Sequence, residues 1–245
     1  MGLSRDYQRA VAELTREQDS SELLPLALVR ACVQVLPVDG AGVSMTESLR
    51  VPLAASDAAV ARAERLQTTL GEGPCLSAAS DEVALVANRE HLQRRWPFFF
   101  TELTGATPYL SVASIPLRLP GERAFGAMDF YSTDPAGDRF GPLEEIEAAI
   151  AGPAALLLMD APQRLSHTGV TMPVWLDSDP ANQRMDVWVA VGLMMAGAEL
   201  GNDDALAALR GYAYSHSLSL DEVASQMLSR ELGSTEVRAQ TGGSA

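Results

Sequence analysis

The 245-residue chain contains no lysine: all 18 basic residues are arginine, set against 32 acidic residues, for a formal net charge of −14. That balance excludes a broad, nonspecific nucleic-acid surface, which rests on clustered positive charge. Cysteine is nearly as scarce. Cys32 and Cys75 are too few for a disulfide framework, and neither has a His or Cys at metal-ligand spacing. The histidines, His91, His167 and His216, are widely scattered, so no metal site and no cofactor is expected. No apolar run approaches the length that spans a bilayer. No secretory signal is visible behind Gly2-Leu3-Ser4-Arg5-Asp6. The expectation is a cytoplasmic protein with no membrane partner. Hydrophobic residues make up 47%, enough for a large core in one big domain or two smaller ones.

Hydrophobic periodicity then orders the chain. Tyr7, Ala10, Val11 and Leu14 have helical spacing within 5–17. Asp19 with Glu22 reads as a capping-box pair ahead of a helix that Pro37 ends. Two short strands, 41–46 and 49–55, form a hairpin around Glu47-Ser48, and 57–69 reads as a helix. Strands are also expected at 83–87, 111–118 and 123–132, with Pro120-Gly121-Glu122 joining the last two. Residues 88–108, which include Trp96-Pro97-Phe98-Phe99-Phe100, read as a loop with at least one helical turn. A helix follows Pro142, and Gly152-Pro153 is expected to kink or interrupt it. The economical assembly is α+β: an antiparallel sheet flanked by helices over 1–160. Pro162, Gly169, Pro173 and Pro180 mark 161–180 as a linker anchored by Trp175 and Leu176. Three helices fill 181–232, the last opened by the capping box of Ser219 and Glu222. The small, polar residues 233–245 read as a disordered tail.

The stretch Leu70-Gly71-Glu72-Gly73-Pro74-Cys75 sets a cysteine behind a glycine turn and a helix-starting proline. Cys75 therefore falls in the first turn of a short helix. Its two readings are a small apolar side chain at a pocket rim and a redox-sensitive thiol favoured by the helix terminus. The turn lacks a phosphate-loop lysine, so it reads as structural.

Two sets of motifs carry a resemblance. LQTTLGEGPCLSAA, with RRWPFF, SIPLRL and FGAMDFYS, resembles a GAF sensory domain of the actinobacterial type over roughly 15–160. VWVAVGLMM, DDALAALRGYAYSHS and LDEVASQMLSREL resemble an ANTAR domain, a three-helix RNA-binding module, over about 181–232. Together they are similar to GAF–ANTAR transcription antitermination regulators. The resemblance implies a GAF-like sheet with a small-molecule pocket and a helical output domain. It also implies a homodimer, a small-molecule signal, and paired stem-loops of structured RNA as partner. No enzymatic activity is expected. The pocket expectation falls on Cys75, Leu76, Trp96, Phe98, Ile115, Met128 and Phe130. The RNA expectation falls on Arg210, Tyr214, His216, Arg184, Arg230 and Gly192.

The chain departs from that family pattern. Val191, Ala208, Leu218 and Glu231 stand where a lysine or threonine, or a basic residue, is common. Residues 166–245 carry four arginines against ten acidic residues, and Val187 to Ala196 is apolar almost all round. Such a helix calls for burial on more than one side. A rival reading is therefore a protein-interaction or dimerisation regulator using Val187, Trp188, Val191 and Met195. A redox enzyme working through Cys75 is a further rival, weakened by the missing partner cysteine.

Overall fold

A computed structural model describes residues 2–17, 23–46, 50–165, 171–177 and 179–241. The expected capping pair at Asp19 and Glu22 and the turn at Glu47-Ser48 lie outside the described residues. Five strands form one antiparallel sheet: β1 (Gly40–Met45), β2 (Val51–Ala55), β3 (Leu85–Ala87), β4 (Ser111–Leu117) and β5 (Gly126–Ser132), in the order β2-β1-β5-β4-β3. Alternation along the strands splits the side chains between two faces. Val43, Ala113, Ile115, Met128 and Phe130 face one way. They pack with Tyr7 and Val11 of α1 (Gly2–Glu17), Leu28 and Cys32 of α2 (Leu24–Val35), and Leu158 of α8 (Gly152–Met159). The sequence pattern of β4 and β5 is correct, yet three expected pocket residues, Ile115, Met128 and Phe130, belong to this closed core. The strand period sends them into this core, away from the Cys75 side.

The other face carries Gly42, Ser44, Ser114, Asp129 and Tyr131, beneath α3 (Ala58–Leu70) and α4 (Pro74–Asp81). Asp57 starts α3, its carboxylate accepting the N–H groups of Ala59 and Val60. Gly71 ends α3 at φ +68°, a left-handed cap in which its N–H reaches Gln67 O. Residues 88–108 are more regular than expected. They form α5 (Arg89–Arg95) and α6 (Pro97–Ala106), separated only by Trp96. Asn88 caps the first of these and Pro97 opens the second.

Gly152-Pro153 does not break its helix. α7 (Leu143–Ile146) runs through a π turn at Glu147–Ala151 directly into α8. The wider turn sits where the proline ring would otherwise clash with a carbonyl one turn back. The stretch expected as a linker includes a small hairpin, β6 (Gln163–Leu165) with β7 (Thr171–Pro173). A 3-10 turn at Val174–Asp177 then buries Trp175, whose Nε1 donates to Leu158 O at 3.0 Å.

The second half is helical: α9 (Asp179–Ala198), α10 (Asn202–Ser215), α11 (Leu220–Leu228) and α12 (Ser234–Thr241). It has its own core, in which Val187, Ala190, Val191 and Met194 of α9 meet Leu209, Val223 and Met227. The expected capping box is present: Ser219 Oγ accepts Glu222 N–H while the Glu222 carboxylate takes Ser219 N–H. The expected disordered tail is corrected over 234–241. These residues form a fourth helix, because Val237 is fully buried and Arg238 donates to Ala198 O.

Candidate functional site

A fully buried polar cage lies between α3, α4 and the sheet. At its centre is Arg50, immediately before β2, 1% exposed, as are Glu64 and Asp129. Arg50 Nε donates to Cys75 Sγ at 3.1 Å. Nη1 reaches Glu64 O at 2.6 Å and Thr68 Oγ1 at 3.2 Å, and Nη2 reaches Glu64 Oε2 at 2.6 Å and Asp129 Oδ2 at 3.1 Å. These bonds use the whole donor capacity of a guanidinium.

The carboxylates are held independently of the arginine. Tyr131 OH donates to Glu64 Oε1 at 2.6 Å, and Ser44 Oγ donates to Glu64 Oε2 at 2.8 Å. Ser114 Oγ donates to Asp129 Oδ1 at 2.5 Å, and Gln67 Nε2 to Asp129 Oδ2 at 2.9 Å. The other end of Gln67 accepts Cys75 N–H at 2.9 Å, satisfying an otherwise orphaned helix-start amide. Two glycines make room. A Cβ on Gly42 would stand 2.5 Å from Glu64 Cδ, and one on Gly73, at φ +143°, would collide with the Gln67 side chain.

The cage is electrostatically unbalanced, with two carboxyl groups around one cation. Burial is the main cause that pushes the Asp129 pKa up, to about 7, and neighbouring Glu64 adds to it; Arg50 and the Ser114 hydrogen bond pull it back. Burial opposes the Arg50 charge, but Cys75, Glu64 and Asp129 around it outweigh that and keep it protonated. Burial pushes the Cys75 thiol well above its ordinary range, against the opposing pull of Arg50. Cys75 is thus a sulfur acceptor inside the cage, with no exposed face.

α3 connects this cage to the helical half. Glu64, Gln67 and Thr68 belong to the cage. At Thr68 and Thr69 the same helix meets the second half: Arg210 Nε donates to Thr68 O at 3.3 Å, and Leu220 N–H to Thr69 Oγ1 at 3.3 Å. Phe98 of α6 meets Tyr214 of α10 edge to face, ring centroids 6.2 Å apart. A groove of about 510 Å³ lies along this junction, lined by Arg62, Arg65, Leu66, Tyr214 and Leu218 among others.

No family model matches the chain, and no curated protein matches it. Solved structures do. The chain is similar to the GAF domain region of a putative membrane protein from Geobacter sulfurreducens PCA, at 15% identity and a TM-score of 0.46, covering 60% of this chain and 98% of that one. A GAF domain from a phosphoenolpyruvate-protein phosphotransferase of Coxiella burnetii matches at 17% identity and a TM-score of 0.44, covering 62% and 92%. The reduced form of fRMsr from Staphylococcus aureus matches at 16% and 0.45, covering 63% and 95%.

The expected pocket set does not converge. Cys75 is in the cage, and Leu76 is half-buried beside it in sequence. Trp96 is buried with Phe99 and Leu103 in a separate cluster, while Phe98 is 60% exposed and serves the junction. Of the expected RNA set, Arg210 and Tyr214 lie one turn apart on α10, both against the first half. Burial at that junction draws the Arg210 pKa down from its ordinary value. His216 stacks on Tyr212 at 4.0 Å. Arg230 is exposed at the end of α11 with φ +64°, and Gly192 is exposed on α9. Arg184 belongs to α9, and its side chain lies outside the described residues. Sequence reasoning missed Arg50, Ser44, Glu64, Gln67, Ser114, Asp129 and Tyr131. Two signals were there to find: an aspartate inside the apolar strand Ala127-Met128-Asp129-Phe130-Tyr131, and polar residues on the inward stripe of α3.

Proposed function

We propose that the chain is a signal-responsive regulator without enzymatic activity. The first half is a GAF-like sensor, and the second an ANTAR-like output that binds paired RNA stem-loops as a homodimer. The observation that carries this reading is the path through α3, whose consecutive turns serve the buried cage and then the contacts to α10 and α11. A change at the cage moves Thr68 and Thr69, and these hold Arg210 and Leu220. Arg210 and Tyr214, the best candidates for phosphate contact and base stacking, are then released or withheld together.

The test is fluorescence anisotropy with a labelled RNA carrying two short hairpins, a scrambled single strand as control, and two salt concentrations. Salt-sensitive binding to the hairpins is expected, weakened by on the order of 1–3 kcal/mol in Arg210→Ala. If wild type and a junction-opened Phe98→Ala protein both ignore the hairpins at low salt, the RNA reading fails.

A protein-interaction regulator is the second reading. Val189 and Leu193, one turn apart, form an exposed apolar strip of α9, and Met195 is exposed further round the helix, in a half with few arginines. The interface cannot use Val187 and Val191, because both are buried in the helical core.

A further inference from the structure

Helix α3 has two working faces. Glu64, Gln67 and Thr68 turn toward the buried cage, which is closed and paired by the chain's own residues. Arg62, Arg65, Leu66 and Thr69, also at helical spacing, turn the other way and line the 510 Å³ groove at the junction. The second half supplies its far wall through Tyr214, Ser217 and Leu218. A recess of about 220 Å³ at Phe98, Arg210 and Gly211 extends it past Leu70 and Tyr214. Small-molecule sites commonly have volumes of about 300–1,000 Å³ and favour such meetings of two domains.

The charges in this groove are unpaired. Arg62 and Arg65 are both exposed. Among the described residues neither guanidinium forms a hydrogen bond or an ion pair, not even with Glu102, a carboxylate that shares the groove. Glu222 acts on Arg65 only through space, because its Oε2 is committed to Ser219. Yet the chain has 32 acidic residues to offer its 18 arginines. Two like charges three positions apart on one helix face repel, and an anion between them relieves that repulsion. A guanidinium fork grips the oxygens of a phosphate or carboxylate with parallel hydrogen bonds. Beside the pair lies apolar surface: Leu66, Leu218 and the ring of Tyr214, which is 50% exposed despite its contact with Phe98.

We propose that the groove binds a small organic anion with a flat apolar body. Its phosphate or carboxylate head lies between Arg62 and Arg65, and its body lies against Leu66 and Tyr214. The inference rests on the signal-responsive reading of the chain and not on RNA binding. No covalent bond is made or broken. A molecule seated there touches α3 and α10 together, so it favours the docked arrangement of the halves and keeps Arg210 on Thr68 O.

The probe is 1-naphthyl phosphate, with inorganic phosphate and 1-naphthol as controls for the head and the body alone. Calorimetric titration of wild type at constant ionic strength is expected to show one saturable site. Each control should bind roughly ten-fold more weakly, and so should the probe to an Arg62→Gln, Arg65→Gln protein. In wild type the probe should also slow hydrogen–deuterium exchange in both 62–70 and 213–222. The absence of a saturable site overturns the proposal, as does an unchanged affinity in the double variant. Equal affinity for 1-naphthol means apolar adsorption and overturns it too. Binding that leaves exchange unaltered on either side of the groove places the probe elsewhere, whether or not the double variant folds. None of these readouts involves RNA, so failure here is distinct from failure of the output reading.

Discussion

At the scale of single residues, the chemistry concentrates where the pattern rules are broken. Asp129 interrupts an otherwise apolar strand, and its surroundings place its proton affinity near neutrality. The folded-state pKa lies above the unfolded one, so the contribution to stability is full below the ordinary carboxylate range and declines as pH rises toward about 7. Urea midpoints at pH 5 and pH 8 should show this fall in wild type, and Asp129→Asn should flatten it. An equal slope in both proteins would place the titration elsewhere. The cysteines lead to a second expectation. Cys32 and Cys75 are both fully buried, and burial raises both thiols. A maleimide reagent should therefore leave the native protein unlabelled and modify both sites once it is unfolded. Rapid native labelling at Cys75 would revive the redox reading that the helix terminus suggested.

At the scale of elements, boundaries were legible wherever a local signal sets them. Asp57 and Gly71 bracket α3, Gly73-Pro74 opens α4, and Ser219 with Glu222 opens α11, all readable from neighbours in sequence. The errors fell where tertiary contact overrode a local signal. Residues 88–108 carry enough capping and proline signal for two helices, but their aromatic cluster hid the break at Trp96. Pro153 is a helix breaker by itself, and a single π turn absorbs it. The polar tail became α12 because one valine finds a pocket between α9 and α10. The capping box supplies a prediction at this scale. Ser219→Ala should lower stability by about 1 kcal/mol, measured by thermal or urea unfolding. Its effect should centre on α11, whose first amide also reaches Thr69.

At the scale of the whole molecule, two cores meet where α9 packs against β2 and where α3, with Phe98 of α6, faces α10 and α11. Beside the α9–β2 packing, the described contacts are mixed: a guanidinium on a helix-end carbonyl, an amide on a threonine, one aromatic edge. Such an interface opens at lower cost than either core unfolds. A Phe98→Ala, Thr69→Val protein should therefore exchange its α10 and α11 amides faster in hydrogen–deuterium mass spectrometry, with β4 and β5 unchanged. Unaltered exchange in α10 and α11 would mean that these contacts do not hold the halves together.

The sequence alone determined the antiparallel α+β plan, most strand and helix boundaries, the separate helical half and the position of Cys75 in a first helical turn. All of these follow from interactions within a few residues: alternation, helical spacing, caps and glycine conformations. Only the tertiary structure decided that Met128 and Phe130 belong to one face and Asp129 to the other in a way that matters. It alone joined Arg50 to Glu64, Cys75 and Asp129, and turned Arg210 toward the first half. Those pairings span 14 to 142 positions along the chain. Their partners are selected by burial, where an unpaired charge is untenable, and no local pattern encodes that selection.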